Sequence, residues 1–190
     1  MILKYKVPCL VCGIIFAGTS SFAGNLSLYS FTEGAADVGM PNLSSGDENV
    51  AIGDEALKAN TSGSNNTAVG DEALKVNTTG NKNTAIGKNS LYSNTSGYEN
   101  VGIGFEALKS NTGGYKNTAV GVDANRSNIS GTYNTSVGFE SLETNTSGSY
   151  NTAIGGQALR SNSGSYNTAV GSNSLDASGS GSYNTAVGTN

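Results

Sequence analysis

Apolar and polar residues recur with a fixed period along most of this chain. From Asn49 onward a five-residue phrase of the form Asn-Thr-Ala-Val-Gly returns every 17 residues, with a single step of 16 before Asn167. The leading asparagines are Asn49, Asn66, Asn83, Asn100, Asn117, Asn134, Asn151, Asn167 and Asn184. A short period of this kind predicts a solenoid, in which each repeat packs only against its neighbours.

Residue type is held column by column within the repeat. The fourth residue of the phrase is always Val or Ile, the third is always Ala, Gly or Ser, and leucine follows the phrase glycine by four residues at seven of eight places. A composition rich in Gly, Asn, Ser and Thr would by itself indicate disorder. A disordered chain has no reason to keep apolar residues in register, so the order of the residues favours a folded rod.

The 17-residue unit favours β-structure over helix. Gly-Asp-Glu-Ala-Leu-Lys looks helical for only one turn and a half, and isolated helices shorter than about 12 residues are marginal. Thr-Ala-Val is typical of a strand, and Gly and Asn suit turns because they tolerate positive φ. We therefore predict an all-β parallel solenoid of about nine coils, each with two short extended segments and two turns, forming a rod roughly 40 Å long.

The apolar columns predict where the core lies. We expect the Val/Ile column to face the leucine column across a thin interior, with Val120 buried between Ile103 and Val137. Asn125 stands in the leucine column, and Ile129 replaces a threonine in the same coil. We expect Ile129 to turn inward there and to fill part of the volume that a leucine would occupy.

The first 23 residues have the layout of a secretory signal peptide. Lys4 and Lys6 form a basic segment, an apolar run covers residues 7–17, and a small-x-small cleavage site ends at Ala23. The apolar run is shorter than the roughly 20 residues of a membrane-spanning helix. We therefore predict secretion, a lead-in segment over residues 24–48 that caps the solenoid, repeats over residues 49–190, and no membrane-spanning segment in the mature chain.

Composition removes several classes of chemistry. The chain has no histidine, which excludes Ser-His-Asp and Cys-His catalysis and a histidine metal site. Cys9 and Cys12 both lie in the predicted signal peptide, so the mature chain would contain neither disulfide nor thiolate metal site. The formal net charge of −4 disfavours a nucleic-acid partner. We predict a protein without enzymatic activity, cofactor or metal.

The repeat resembles a known family of adhesive proteins. Asn49-Val50-Ala51-Ile52-Gly53, together with Glu-Asn-Val-Gly-Ile-Gly over residues 99–104, resembles the head repeat of trimeric autotransporter adhesins, the YadA-like head. The whole unit over residues 66–82 is similar to repeats in such heads and in some phage tail-fibre proteins. The resemblance covers residues 49–190 and implies three chains side by side as left-handed parallel β-rolls, which bind matrix proteins or other surfaces. It implies no catalytic position.

The chain also departs from that family. Its repeat is longer than the usual head repeat, and the sequence shows neither a heptad stalk nor membrane-anchoring barrel strands. We therefore expect a secreted or cell-surface adhesin head, truncated or fragmentary, which frays at its last coil and associates end to end. The ligand and the oligomeric state are left open. The phage-fibre alternative is weakened by the signal peptide.

Two further columns are candidates for binding. The pairs Asp54-Glu55 and Asp71-Glu72 lie 17 residues apart, so they stack either as a carboxylate cation site or as a solvated edge paired with Lys58 and Lys75. We favour the solvated edge, because the calcium-binding β-roll spacing is absent. Four tyrosines precede repeat asparagines, namely Tyr133, Tyr150, Tyr166 and Tyr183. Such a ladder either stabilises the sheet or binds sugars or bases by stacking, and we favour the structural role.

The threonine column suggests a rival function. Seven coils carry threonine at the second place of the phrase, and a flat threonine array on a β-solenoid is how some ice-binding proteins work. These residues are Thr67, Thr84, Thr118, Thr135, Thr152, Thr168 and Thr185. Val50 and Val101 interrupt the column, and alternation places it on the same side as the Val/Ile column, which we expect to face inward. Ice binding is therefore the second hypothesis.

Overall fold

Each repeat contributes one three-residue strand to a single parallel sheet. The computed structural model describes residue 46 and residues 48–190, so the predicted signal peptide and most of the predicted lead-in lie outside the described residues. The strands are β1 (Val50–Ile52), β2 (Thr67–Val69), β3 (Thr84–Ile86), β4 (Val101–Ile103), β5 (Thr118–Val120), β6 (Thr135–Val137), β7 (Thr152–Ile154), β8 (Thr168–Val170) and β9 (Thr185–Val187).

The strands pair in sequence order, and the register joins equivalent residues of successive repeats. Thr67 lies beside Thr84, and Ala68 beside Ala85, so every column of the sequence becomes a row of neighbouring side chains. The prediction of an all-β parallel solenoid with a 17-residue coil is confirmed. The described residues contain no helix long and apolar enough to cross a membrane.

The prediction of a second extended segment in each coil is wrong. The leucine column lies in turns, where Leu74 has φ 50° and Glu72, two residues earlier, has φ 58°. Left-handed backbone costs a non-glycine residue about 1–2 kcal/mol. Hydrogen bonds between coils continue through these turns, as when the Leu74 N–H donates to Ser90 O at 3.1 Å, and they offset this cost in every repeat.

The inward and outward sides of the strands are the reverse of our prediction. Ala119 in the middle of β5 is fully buried, whereas Val120 is only partly buried, and Ile103 and Val137 on either side are each 36% exposed. The core consists of the alanine column, the leucine column and the Ala/Ser column before it. One leucine per layer fills this thin interior, so the opposing strand can present only a methyl group or less.

Two columns of buried asparagine hold the coils together from inside. The first is the asparagine that opens each phrase: the N–H of Asn117 donates to Oδ1 of Asn100 at 3.0 Å, and the Asn117 amide donates to Gly131 O at 2.8 Å within its own coil. The same pattern recurs in every coil from Asn66 to Asn167. Each of these side chains bonds to backbone groups of its own coil and of the neighbouring coil. The buried polar atoms of this column are therefore hydrogen-bonded.

The second asparagine column runs through only part of the rod. Side-chain amides donate from each coil to the preceding one, at 2.7–2.9 Å, across Asn60, Asn77, Asn94, Asn111 and Asn128. The series stops there, because the Asn145 side chain instead bonds to both the carbonyl and the N–H of Gly148. Oδ1 of Asn128 is consequently buried without a hydrogen-bond partner in the described part of the chain.

The prediction that Ile129 fills the space beside Asn125 is also wrong. Asn125 is fully buried in the leucine column, and neither its Oδ1 nor its Nδ2 has a hydrogen-bond partner among the described residues. Ile129 is 49% exposed and does not fill the missing volume. Its place in the repeat is held by threonine in other coils, where the side chain lies on the outside of a turn, so backbone direction alone keeps Ile129 out of the core.

The turn glycine is required by the close approach of successive coils. Gly87 has φ 130°, and a Cβ added there would lie 2.4 Å from the carbonyl oxygen of Gly104 in the next coil. Any side chain would push the two coils apart. The phrase therefore ends in glycine in every coil.

Candidate functional site

The outer side of the sheet carries two parallel columns of side chains, which we call the strand face. It consists of the threonine column and the Val/Ile column, which lie on one side of the three-residue strands while the small central residue points inward. Most of its members are half-buried, and Ile86 and Ile154 are among the more exposed, at about two fifths of their surface. A ridge of β-branched residues thus runs along all nine coils.

The outward direction of the strand face changes the status of the threonine column. Thr118 and Thr135 are half-buried and aligned by direct pairing of β5 with β6. Ice binding was disfavoured partly because we expected the Val/Ile column to face inward, and that prediction is wrong. The interruptions at Val50 and Val101 remain, and both lie in strands of the same sheet.

A second apolar surface is formed by the residues that directly follow the turn glycine in three successive coils, and we call it the Phe patch. Phe105, Val122 and Phe139 occupy this place in three successive coils and are 44%, 42% and 51% exposed. Elsewhere the same column carries charged, small or hydroxyl residues. The Phe patch was not predicted from the sequence, although the change from Lys88 to Phe105 within one column is visible there.

The tyrosine ladder is longer than the sequence suggested. Six tyrosine rings contact one another in series. Tyr98 and Tyr115 continue the four predicted tyrosines, although each lies one residue earlier in its coil than those four do. Tyr133, Tyr150, Tyr166 and Tyr183 stack with ring centroids 4.9 Å apart and interplanar angles of 2–4°. Tyr115 meets Tyr133 edge-on at 5.6 Å, where the ladder changes column.

Stacking within the ladder decides which part of each ring faces solvent. Both faces of the Tyr150 ring are covered by Tyr133 and Tyr166, so only its edge and its hydroxyl can contact a ligand. Sugars and bases stack on ring faces, and only rings at an end of such a series offer one. The pKa of the Tyr150 phenol is raised, first by loss of surrounding water and then by the neighbouring phenols.

Lysines pair with three of the four carboxylates in the acidic pairs. Lys75 bonds to both Glu55 and Glu72, Lys58 bonds to Glu55, and Lys88 lies 2.6 Å from Asp71. The bonds from Lys58 and then Lys75 hold the pKa of Glu55 below its ordinary value. Within residues 46 and 48–190 no group of three or more acidic, histidine or cysteine side chains is placed to hold a metal ion. Glu55, Asp71 and Glu72 are thus arranged as ion pairs with lysines.

A more buried ion-pair cluster surrounds Glu106 in the middle of the rod. Its carboxylate accepts from Lys109 at 2.6 Å and from Arg126 of the next coil at 2.8 Å. Burial by itself would raise the pKa of Glu106, but the two cations outweigh burial and hold the pKa below its usual range. Arg126 also lies 3.5 Å from Asp123, whose pKa is raised by burial.

Comparisons with known proteins do not add a family to this geometry. No protein-family model, no curated protein and no solved structure matches the chain. What the described residues offer chemically is a long, regular exterior: one ridge of Thr and Val/Ile, a short apolar patch, a series of tyrosine edges and an edge of ion pairs. Such a surface is suited to repeated weak contacts along a line rather than to enclosing a small molecule.

Proposed function

We propose that this chain is a secreted or cell-surface attachment rod of the adhesin-head type, without enzymatic activity. The observation that carries the proposal is the outward strand face, which presents Val or Ile in each of nine coils and threonine in seven of them. Each coil repeats a contact at about 4.8 Å, so a ligand with many copies of one epitope gains affinity by avidity. The resemblance of the repeat to YadA-like heads supports the same function.

The proposed partners are an extracellular surface or matrix ligand and further copies of the chain. Three parallel chains are the arrangement that the family resemblance implies. Light scattering on the purified protein would count the chains, and a mass that is not a multiple of three chains would reject the trimer while leaving attachment open.

A matched pair of charge variants tests attachment. Ile103→Glu, Val137→Glu and Ile154→Glu together place three charges on the strand face. Ser96→Glu, Ser130→Glu and Ser147→Glu place three charges on exposed turns of the same rod and serve as the control. The strand-face variant should lose binding to immobilised matrix proteins at least tenfold, with unchanged circular dichroism. Equal binding by both variants, or no binding by the unaltered chain, would reject the proposal.

Ice binding is the second candidate, favoured by the outward threonine column. Its hydroxyl and methyl groups are aligned by in-register strand pairing over β5 to β9. A thermal-hysteresis measurement separates the two candidates. Activity that is lost in a Thr118→Tyr, Thr152→Tyr variant would favour ice binding, and its absence in the unaltered chain would remove this candidate.

A further inference from the structure

The column that contains the Phe patch has an ordered sequence along the rod. From the first coil to the last, the residues after the turn glycine are Asp54, Asp71, Lys88, Phe105, Val122, Phe139, Gly156, Ser172 and Thr189. Val122 lies in the fifth of nine coils, with one phenylalanine on each side of it. The charged members all lie on one side of the patch, and small uncharged residues lie on the other.

We propose that two copies of this chain pair antiparallel through the Phe patch, about a twofold axis that passes by Val122. A twofold contact uses one surface on both partners, so that residue i meets residue j and j meets i. Reversal about Val122 places Phe105 of each copy opposite Phe139 of the other and Val122 opposite itself. The Phe-Val-Phe order is therefore self-complementary in this orientation.

Charge distinguishes the antiparallel orientation from a parallel one. Reversal places Lys88 opposite Gly156, Asp71 opposite Ser172 and Asp54 opposite Thr189, so each charge faces a small uncharged residue. Parallel alignment in register would place each of these charges opposite its own copy. Like charges directly opposed across a contact are unfavourable. Lys88 and Asp71 form an ion pair within each copy, so the repulsion in a parallel pair is greatest at Asp54, and the distribution of charge along the column favours the antiparallel pair.

Periodicity explains why the partner is a second copy of this chain. The patch is a row of bulky side chains separated by the spacing between coils, about 4.8 Å. Bulky side chains interdigitate over several rows only with a surface of the same spacing, and another copy of the chain has it. Because three side chains cover much less than the roughly 800 Å² per partner of a standard interface, pairing should depend on protein concentration.

The pairing goes beyond the proposed function and does not depend on it. Attachment was assigned to the strand face, whereas the pair forms through the column after the turn glycine. The antiparallel contact adds to whatever assembly the chain forms by parallel association. Failure of attachment would leave the pairing unaffected, and failure of pairing would leave attachment unaffected.

Opposite charges introduced at Ser172 provide a test by sign. Ser172 is exposed and lies beyond the patch, opposite Asp71 of the partner in the antiparallel pair. Ser172→Lys should strengthen pairing and Ser172→Glu should weaken it, each by roughly two- to twentyfold because the contact occurs twice. Sedimentation of the full chain over a range of concentrations measures this. A parallel contact would be weakened by both variants, and that result, or no change in either, would overturn the proposal.

Cysteine pairing tests the orientation directly. Lys88→Cys and Gly156→Cys are each made in the full chain with Cys9→Ser and Cys12→Ser; a side chain at Gly156 has room, since an added Cβ would meet its nearest neighbours at 4.0 Å. The mixture of the two variants should give a disulfide-linked heterodimer, and Lys88→Cys alone should not crosslink. Crosslinking of Lys88→Cys alone, without the heterodimer, would show a parallel contact and overturn the proposal.

A final variant removes the contact. Val122→Glu should lower the mass measured by light scattering to that of the unpaired assembly, with the fold retained by circular dichroism. Ile129→Glu, which alters an exposed apolar residue of the same coil outside the patch, should leave the mass unchanged. A mass that is the same in the unaltered chain and in Val122→Glu at every concentration would reject the pairing.

Discussion

A single asparagine in each inner coil satisfies three partners at once. Asn117 accepts the N–H of Asn134 at 3.0 Å, donates its amide to Gly131 O at 2.8 Å, and donates its own N–H to Asn100 at 3.0 Å. Aspartate lacks the amide donor, and glutamine is one methylene longer than this tight interior admits. The hydrogen-bonding needs of the backbone therefore explain why asparagine recurs at this place.

At the residue scale, neighbouring positions of β5 should respond oppositely to substitution. Ala119→Val adds two methyl groups against a fully buried, close-packed site and should lower the free energy of unfolding by about 1–3 kcal/mol. Val120→Thr, on the outward strand face, should change it by less than about 0.5 kcal/mol. Chemical denaturation of both variants measures the contrast. A larger loss from Val120→Thr than from Ala119→Val would restore the inward Val/Ile column.

Glu106 should make stability depend on pH. Its pKa is lowered in the folded chain, so the ion pairs stabilise the fold above the ordinary carboxyl pKa, and that contribution is lost as the pH falls through the lowered folded value. At pH 7, Glu106→Gln should lower the free energy of unfolding by about 1–2 kcal/mol. The difference from the unaltered chain should shrink between about pH 5 and pH 3.

Glu99→Gln is the control for this pH experiment. Glu99 is an exposed carboxylate that lies 3.8 Å from Lys116, and its replacement should cost less than about 0.5 kcal/mol at pH 7. A difference between Glu106→Gln and the unaltered chain that stays constant from pH 7 to pH 3 would contradict the role given to the Glu106 ion pairs.

At the scale of the element, the coil over residues 117–133 differs from the others in its leucine column. It buries a polar Asn125 and exposes Val122 and Ile129. Two of its neighbouring features change at the same place: the second asparagine column ends at Asn128, and the tyrosine ladder changes column between Tyr115 and Tyr133. The middle coil therefore places two polar atoms without a hydrogen-bond partner where seven other coils pack a leucine.

Replacing the buried asparagine should stabilise this coil. Asn125→Leu removes two buried polar atoms that have no hydrogen-bond partner in the described structure, and leucine adopts the same φ near 50° at this place in seven other coils. We expect a gain of about 2 kcal/mol in the free energy of unfolding, measured by denaturation. Ile129→Thr should be neutral, since the side chain is exposed. A loss of stability in Asn125→Leu would mean that an internal water satisfies the amide.

At the scale of the whole molecule, the apolar core is divided at Asn125. One cluster of buried residues extends from Ala51 to Ala124, and a smaller one from Leu142 to Ala169. Each coil of a solenoid contacts only its neighbours, so stability is a sum of local terms and a weak coil separates the rod into units. The two clusters define a longer first unit and a shorter second unit.

Hydrogen exchange should resolve these two units. Amides of coils after Asn134 should open together at a lower free energy than amides of coils before Asn117, because the second unit has the smaller core and lacks the second asparagine series. Asn125→Leu should bring the two opening free energies closer together. Uniform protection along the unaltered rod would contradict the division.

The solenoid, the parallel pairing and the register follow from the 17-residue period, because identical columns stack only when each coil repeats the last. The choice of side could not be deduced by matching apolar columns, since β-branched residues suit a strand on either face. Packing in three dimensions sets the side: leucine, held inward by a left-handed turn, fills the interior and leaves room for no more than Ala68 or Ala119 opposite. The alanine column contains only small residues, and this was the feature of the sequence that indicated how little space lies opposite leucine.

The outer surfaces follow the same division. The sequence placed the acidic pairs and four of the tyrosines in columns, since those columns repeat at the coil period. Two contacts depend on how side chains reach between coils in space. Lys75 forms ion pairs with both Glu55 and Glu72, and Tyr115 contacts Tyr133 across two columns. Local spacing decides which residues become neighbours, whereas packing decides which of their atoms meet.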